Sequence, residues 1–260
     1  MKKPFKYLEQ AKPQFPVREL IEVETQEGNI TFSADFFGPN TFDNNSSEMS
    51  KTYSHHITGE QITFRASTTA EALLDATTDF SNRAKPKVFD PRWFQAGRIV
   101  RAQDGVYANT QIIDEAKLKA LRDKCKEFNG IWLLPNGQIQ GVRDFGFAPY
   151  ETFEKQRDGI SYEDFARQGL ARVLEHTEKQ VAENLRVIAS DKGYKRGVSV
   201  WGFDNVKEPI ARIVELGSIR FDYVDRLYVN GSDWADDDGG YASGVLMAST
   251  ESAKPAQKNK

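Results

Sequence analysis

The feature that most constrains the fold is a stretch of helical periodicity between Ser161 and Gly193. Ser161 is a candidate N-cap, and Lys192 followed by Gly193 is a typical helix stop. At about 1.5 Å per residue, the helix would be roughly 45 Å long, so we expect it to lie across a sheet. Apolar residues recur at spacings of three and four, on one helical face: Phe165, Leu170, Val173, Leu174, Val181, Leu185 and Ile188.

Shorter helices are predicted around this long one. The capping box Thr68-Thr69-Ala70-Glu71 opens a helix over about residues 69–80. Asp114 caps a second helix, which Asn129-Gly130 ends. Residues 205–216 carry apolar side chains at helical spacing and predict a third, short helix.

Alternating apolar residues and turn signals predict the strands. Residues 19–25 and 30–36 form one hairpin, and residues 98–102 and 106–109 form another around an Asp-Gly pair. Residues 38–59 are polar without periodicity and predict a long loop. The remaining predicted strands are 61–65, 131–134 paired with 139–147, 197–203, 219–224, 227–229 and 241–247.

These elements predict an α+β fold: mostly antiparallel sheet, with one long and two or three shorter helices packed on a face. Residues 1–17 would form an N-terminal arm and residues 18–110 a β-rich part. Residues 111–248 would form an α+β part built round helix 161–192, compatible with one continuous domain with residues 18–110. Residues 249–260 would be a disordered tail.

Charge and cysteine content exclude several classes of protein. The net charge is −3, which favours neither nucleic acid nor membrane for the molecule as a whole. Cys125 is the only cysteine, so an intramolecular disulfide or a multi-cysteine zinc site is excluded. No apolar run is long enough for a membrane span or a secretory signal. We expect a cytoplasmic protein or a component of a phage or mobile-element virion, with no cofactor.

The clearest non-random feature is a basic segment, residues 83–101, with six basic residues and one acid. Cations neutralise phosphates and exposed aromatic rings stack on bases, so the segment is typical of single-stranded nucleic-acid binding. It also suits contact with a protein partner, or a core in which the aromatics are buried and the cations pair with acids. The candidate contact residues are Lys85, Lys87, Arg92, Trp93, Phe94, Arg98 and Arg101.

An acidic loop, residues 233–238, is the counterpart of the basic segment. Asp233, Asp236 and Asp238 are weak candidates for Ca²⁺ or Mg²⁺ ligands, although the spacing of an EF-hand is not met. The loop can also be plainly solvated, or dock on a basic surface, either residues 83–101 of a second copy or another protein. It loosely resembles the acidic tails of phage single-stranded-DNA-binding proteins, although the basic end at 254–260 departs from that pattern.

No catalytic motif is present. Gly197-Val198-Ser199-Val200-Trp201 is a near miss to a nucleophile elbow, but Trp201 stands where a glycine is needed. His55-His56 lacks a third metal ligand. The sequence therefore favours a non-enzymatic binding or assembly protein that forms a homo-oligomer or contacts a protein partner. The alternatives are a single-stranded nucleic-acid-binding protein and a metal-dependent hydrolase with its site in the acidic loop.

Overall fold

A computed structural model describes residues 15–25, 28–82, 93–110, 116, 119–120, 124–133, 145–152, 160–169, 171–174, 183–184, 198–219, 226–233 and 239–247. The helices are α1 (Phe42–Met49), α2 (Thr69–Asn82), α3 (Tyr162–Arg167) and α4 (Ala171–Leu174), with a short 3-10 helix at Tyr150–Thr152. No helix within these ranges is long and apolar enough to cross a membrane.

The strands outnumber the helices. They are β1 (Val17–Arg18), β2 (Leu20–Thr25), β3 (Gly28–Ser33), β4 (Phe37–Asn40), β5 (Tyr53–His55), β6 (Gln61–Ile62), β7 (Phe64–Ala66), β8 (Trp93–Arg101), β9 (Gly105–Asn109), β10 (Lys126–Phe128), β11 (Ile131–Leu133), β12 (Phe145–Pro149), β13 (Val198–Trp201), β14 (Ile210–Ile219), β15 (Arg226–Asp233), β16 (Gly240–Ala242) and β17 (Gly244–Leu246).

The main sheet has the strand order β12-β9-β8-β14-β15-β13, and β16 joins β8 to β4. One edge of β8 is shared between two partners: Trp93–Gln95 pair with β16, and Val100–Arg101 pair with β9. The register with β14 shifts between these two halves, beside Gly97. Gly97 has a φ of +149°, and a Cβ there would meet Thr69 at the start of α2 at 2.9 Å, so this position favours glycine.

Two smaller sheets and one hairpin complete the fold. Their orders are β2-β3-β17-β7 and β1-β5-β6, and β10 pairs with β11. The chain passes from the main sheet to the four-stranded sheet at Ser243, between β16 and β17. The buried Ser243 hydroxyl donates to Asp75 Oδ2 at 2.5 Å, so α2 is tied to the crossing point.

Within the described residues, three apolar clusters form the core. The largest lies between the main sheet and helices α2, α3 and α4, around Leu73, Phe165 and Leu216. The second lies where hairpin β10–β11 packs on β8, β9 and β12; Cys125 is half-buried against it, and burial raises the pKa of its thiol. The third lies beneath α1, around Phe37 and Met49.

The predicted fold class is wrong: the chain is mostly β-sheet and not a helix-rich α+β protein. The predicted long helix breaks early: α3 ends at Arg167, and the next residue, Gln168, has an extended ψ of 152°. Gly169 follows, and its N–H donates to the Thr152 carbonyl at 3.1 Å. A Cβ at Gly169 would overlap the Thr152 side chain. Tertiary contact, which helical periodicity does not record, therefore ends this helix.

Other predicted elements also need correction. Residues 210–219 form strand β14 in the centre of the main sheet, not part of a helix over 205–216. The helix capped at Asp114 does not reach Phe128, because Lys126–Phe128 is β10; Asn129 and Gly130, both at positive φ, form a hairpin turn. The hairpin 131–134 with 139–147 is replaced by two pairings, β11 with β10 and β12 with β9. Residues 38–59, predicted as a loop, contain β4, α1 and β5.

Several local predictions are confirmed. The hairpin β2–β3 pairs from Leu20↔Ser33 to Thr25↔Gly28, and β8 pairs with β9 around the Asp-Gly turn. The capping box at the start of α2 forms, because the Thr68 N–H donates to Glu71 Oε2 at 2.9 Å. The Glu71 N–H in turn donates to Thr68 Oγ1 at 3.3 Å.

Candidate binding site

The basic segment does not form one exposed surface in the part of the chain that the structure describes. Phe94 is fully buried and Arg101 is 7% exposed, so neither side chain presents an appreciable contact surface. Trp93 is half-buried, and its indole ring lies against Gly217 of the neighbouring strand β14. The predicted contacts at Lys85, Lys87 and Arg92 fall outside the described residues.

The two described arginines of this segment are held by internal partners. Arg98 forms an ion pair with Asp43 at the start of α1, and its guanidinium lies 5.4 Å from the centre of the Phe42 ring. Burial lowers the pKa of Arg98. Arg101 donates to the carbonyl of Asp204 and lies beside Tyr150, whose pKa is raised by burial although Arg101 opposes that rise. Both arginines therefore make contacts within the fold.

The acidic loop is described only at its beginning. The main chain of Asp233 ends β15 and pairs with Ile213 of β14, while Asp236 and Asp238 lie outside the described residues. Within the described ranges, no group of three or more His, Cys, Asp or Glu side chains could hold a metal ion. The His55 and His56 rings lie 5.0 Å apart, and His55 Nδ1 accepts from the Thr58 N–H at 3.1 Å, which is a turn role.

The register of the main sheet brings together residues that are far apart in sequence. Phe94, Leu216, Val229 and Val200 lie in one row across β8, β14, β15 and β13, on the face that the helices cover. Because side chains alternate between the faces of a strand, the neighbouring rows lie on the opposite face. These rows are Trp93, Gly217, Tyr228 and Ser199, and Gln95, Glu215, Asn230 and Trp201.

The row that contains Gln95 of β8 and Glu215 of β14 begins in a buried polar cluster. Gln95 and Glu215 are 1% and 3% exposed. Asn45 of α1 donates through Nδ2 to Gln95 Oε1 at 2.9 Å and to the Gly240 carbonyl at 3.0 Å. A Cβ at Gly240 would overlap the Gln95 side chain. Buried amides joined in this way position strands, so we assign Asn45 and Gln95 a structural role.

The row that contains Gln95 and Glu215 ends at an exposed aromatic residue. Trp201 of β13 is 37% exposed, and its ring lies 6.3 Å from that of Tyr228, tilted by 32°. Asn230 is half-buried beside Trp201, and Ser232 is exposed and donates to Asn230 Oδ1 at 2.8 Å. We call Trp201, Tyr228, Asn230 and Ser232 the aromatic patch. It presents one exposed indole ring, that of Trp201, flanked by an amide and a hydroxyl, with the buried ring of Tyr228 beside it.

Sequence reasoning missed the aromatic patch, although a signal existed. Residues 227–232 alternate between apolar Leu227 and Val229 and polar or aromatic Tyr228, Asn230 and Ser232. That alternation predicts a strand with an apolar face covered by the core and a second face of polar and aromatic residues. It does not reveal that β13 brings Trp201 next to Tyr228.

Comparisons with known proteins add little to this geometry. No protein-family model matches the chain, and no curated protein matches it. One solved structure, described as "Accommodation of massive sequence variation in Nanoarchaeota by the C-type lectin fold", is distantly similar, with 16% sequence identity and a TM-score of 0.48. The match covers 88% of this chain and 98% of that chain. Similarity this low carries no argument about function.

Proposed function

We propose that this protein is a non-enzymatic binding or assembly protein and that the aromatic patch is its contact surface. The observation that carries the proposal is the exposure of Trp201 together with its packing on Tyr228. A single exposed apolar side chain needs no explanation. Trp201 differs because it lies at the end of an ordered row of the main sheet and has polar neighbours around it. An aromatic side chain with a polar rim is the typical composition of a protein contact surface.

Two oppositely charged stretches of the chain also favour self-association: residues 83–92 and residues 234–238. Trp93 directly follows residues 83–92, and Gly240 lies just after residues 234–238. Trp93 and Gly240 are register partners in β8 and β16. Residues 83–92 and 234–238 therefore connect to the main sheet at neighbouring strands. In a two-fold dimer, residues 83–92 of each copy would meet residues 234–238 of the other, so that opposite charges pair reciprocally.

Mass measurements with two matched variants test this proposal. Native mass spectrometry and light scattering of the full chain should show an oligomer. Trp201→Ser should weaken association by at least roughly 30-fold, as expected for a tryptophan at the centre of an interface. Val17→Ser is the control, since Val17 is 49% exposed but lies on β1 in another sheet.

Two results would contradict the proposal in different ways. A wild-type chain that stays monomeric at all concentrations would remove self-association. Equal weakening by Val17→Ser and Trp201→Ser would remove the aromatic patch as the contact surface. The same spectra would reveal co-purified nucleic acid or metal, which the two alternative functions require.

A further inference from the structure

We propose that the outer edge of β2 binds an extended peptide segment of a partner protein in which basic and aliphatic side chains alternate. This site lies on the four-stranded sheet and is independent of the aromatic patch. It follows from the hydrogen-bonding pattern of the strand, the charge on one of its faces and the apolar side chains on the other.

The outer main-chain edge of β2 is open. Strand β2 is the terminal strand in the order β2-β3-β17-β7. The Ala34 N–H donates to the Glu19 carbonyl at 2.9 Å, so the odd-numbered residues of this ladder direct their main-chain groups towards β3. The N–H and C=O groups of Leu20, Glu22 and Glu24 therefore point outward. In the part of the chain that the structure describes, no element pairs with this edge.

Strand β2 is also regular along this edge. Natural sheets protect their edges with proline, bulges, short strands or covering elements. Strand β2 has six residues without proline and pairs with β3 without a register shift. Among the described strands at sheet ends, it exceeds β12, with five residues, and β13, with four. The outer side of β13 is moreover bridged to Ile160. The edge of β2 is thus a suitable template for strand addition.

The negative charge on one face of β2 selects which peptide segment binds. Glu22 and Glu24 are exposed on one face of β2, and in the described residues neither has an ion-pair partner. The Asn29 amide donates to Glu22 Oε1 at 2.8 Å and orients that carboxylate. Like charges directly opposite one another repel, so β2 of a second copy is a poor partner. A strand with lysine or arginine opposite these glutamates is favoured.

The other face of β2 is apolar. Ile21 and Val23 are only half-buried there, beside Phe32 and Ile30 of β3. An added strand would place every second side chain next to this apolar row. The segment that fits both faces therefore alternates basic and aliphatic residues, in the manner of other peptides that bind by strand addition.

Calorimetry with a synthetic peptide tests the proposal on the full chain. The probe is an end-blocked peptide of alternating lysine and valine, matched in length to the six residues of β2. The double variant Glu22→Lys with Glu24→Lys should bind this peptide roughly 2- to 30-fold more weakly, from two cross-strand charge pairs. The same variant should bind a glutamate–valine peptide more tightly than the wild type does. Glu60→Lys, an equivalent change on the β5–β6 turn, should have no effect.

Two further probes separate strand addition from charge attraction alone. Glu24→Pro removes an outward N–H that β3 does not use, so the sheet should form while peptide binding is lost; this variant also serves if the lysine variant does not fold. A lysine–valine peptide methylated on all its internal amides should not bind, because its main chain can no longer donate hydrogen bonds to β2. The proposal is overturned if the peptide fails to bind, if the methylated peptide binds equally well, or if Glu60→Lys weakens binding as much as the double variant.

Discussion

Replacing Glu71 by glutamine should destabilise the protein in a pH-dependent way. Arg65 donates to both Glu71 carboxylate oxygens at 2.8 Å, and the Thr68 N–H donates to Oε2 at 2.9 Å. The Glu71 and Arg65 side chains are 15% and 29% exposed. Glutamine keeps an acceptor for the Thr68 N–H but loses the charge and the two-pronged bond to Arg65. Charge-assisted hydrogen bonds contribute about 1.5–3 kcal/mol, so we expect a loss of about 2 kcal/mol.

The pH dependence follows from the direction of the pKa shift. Burial acts to raise the pKa of the Glu71 carboxyl, but the hydrogen bonds and charge of Arg65 outweigh it and hold the pKa below its ordinary value of 4.5. A carboxyl with a lowered pKa stabilises the fold fully above its unfolded pKa, and this contribution disappears as the pH falls through the folded pKa. The difference between wild type and Glu71→Gln should therefore be constant near neutral pH and shrink in acid.

Urea unfolding at several pH values measures both quantities. Glu71→Ala should cost about 1 kcal/mol more than Glu71→Gln, because the helix cap is also lost. Arg167→Gln is the control: it removes an ion pair with Asp164 whose side chains are 71% and 60% exposed, and should cost about 0.5 kcal/mol or less. Equal losses for Glu71→Gln and Arg167→Gln, or a Glu71→Gln loss that does not change with pH, would refute the reasoning.

Three further predictions concern the frame around the site. Gly169→Val should cost about 1–3 kcal/mol by overlap with Thr152, and Thr152→Ala should restore part of that loss in a double-mutant unfolding cycle; strict additivity would contradict the assigned contact. Asn45→Leu should cost about 2–4 kcal/mol in the same assay, because Gln95 and the Gly240 carbonyl lose a buried donor. Burial, reinforced by the hydrogen bond to Asp104 at 2.6 Å, raises the pKa of Tyr107. In ultraviolet titration Tyr107 should therefore ionise at a higher pH than ordinary tyrosines, and Asp104→Asn should bring its pKa closer to the ordinary value. The stability of the protein should fall as the pH rises through the ordinary tyrosine pKa.

Local structure was readable from the sequence where the cause is local. The capping box at Thr68 and Glu71, the β2–β3 alternation and the Asp-Gly turn of β8–β9 all depend on residues close together in the chain. Helix α1 was readable in principle, because Thr41 accepts from the Asn44 N–H as its N-cap and Phe42, Asn45 and Met49 form its buried stripe. The surrounding polar composition concealed that spacing.

The main sheet and the aromatic patch could not be predicted, because their causes are not local. Strand β14 has apolar residues at spacings that also fit a helix, and its two neighbours β8 and β15 decide its conformation. Likewise, nothing in the sequence near Phe94 or Arg101 distinguishes them from exposed contact residues. Their burial depends on strands that arrive much later in the chain.

Hydroxyl-radical footprinting of the full chain, at concentrations above and below its association midpoint, tests the central claim most directly. We predict that Trp201, which is 37% exposed, becomes protected on association, while Val17 and Ile57, which are 49% and 77% exposed, react equally in both states. Unchanged labelling of Trp201 in an associated sample would contradict the assignment of the aromatic patch as the contact surface.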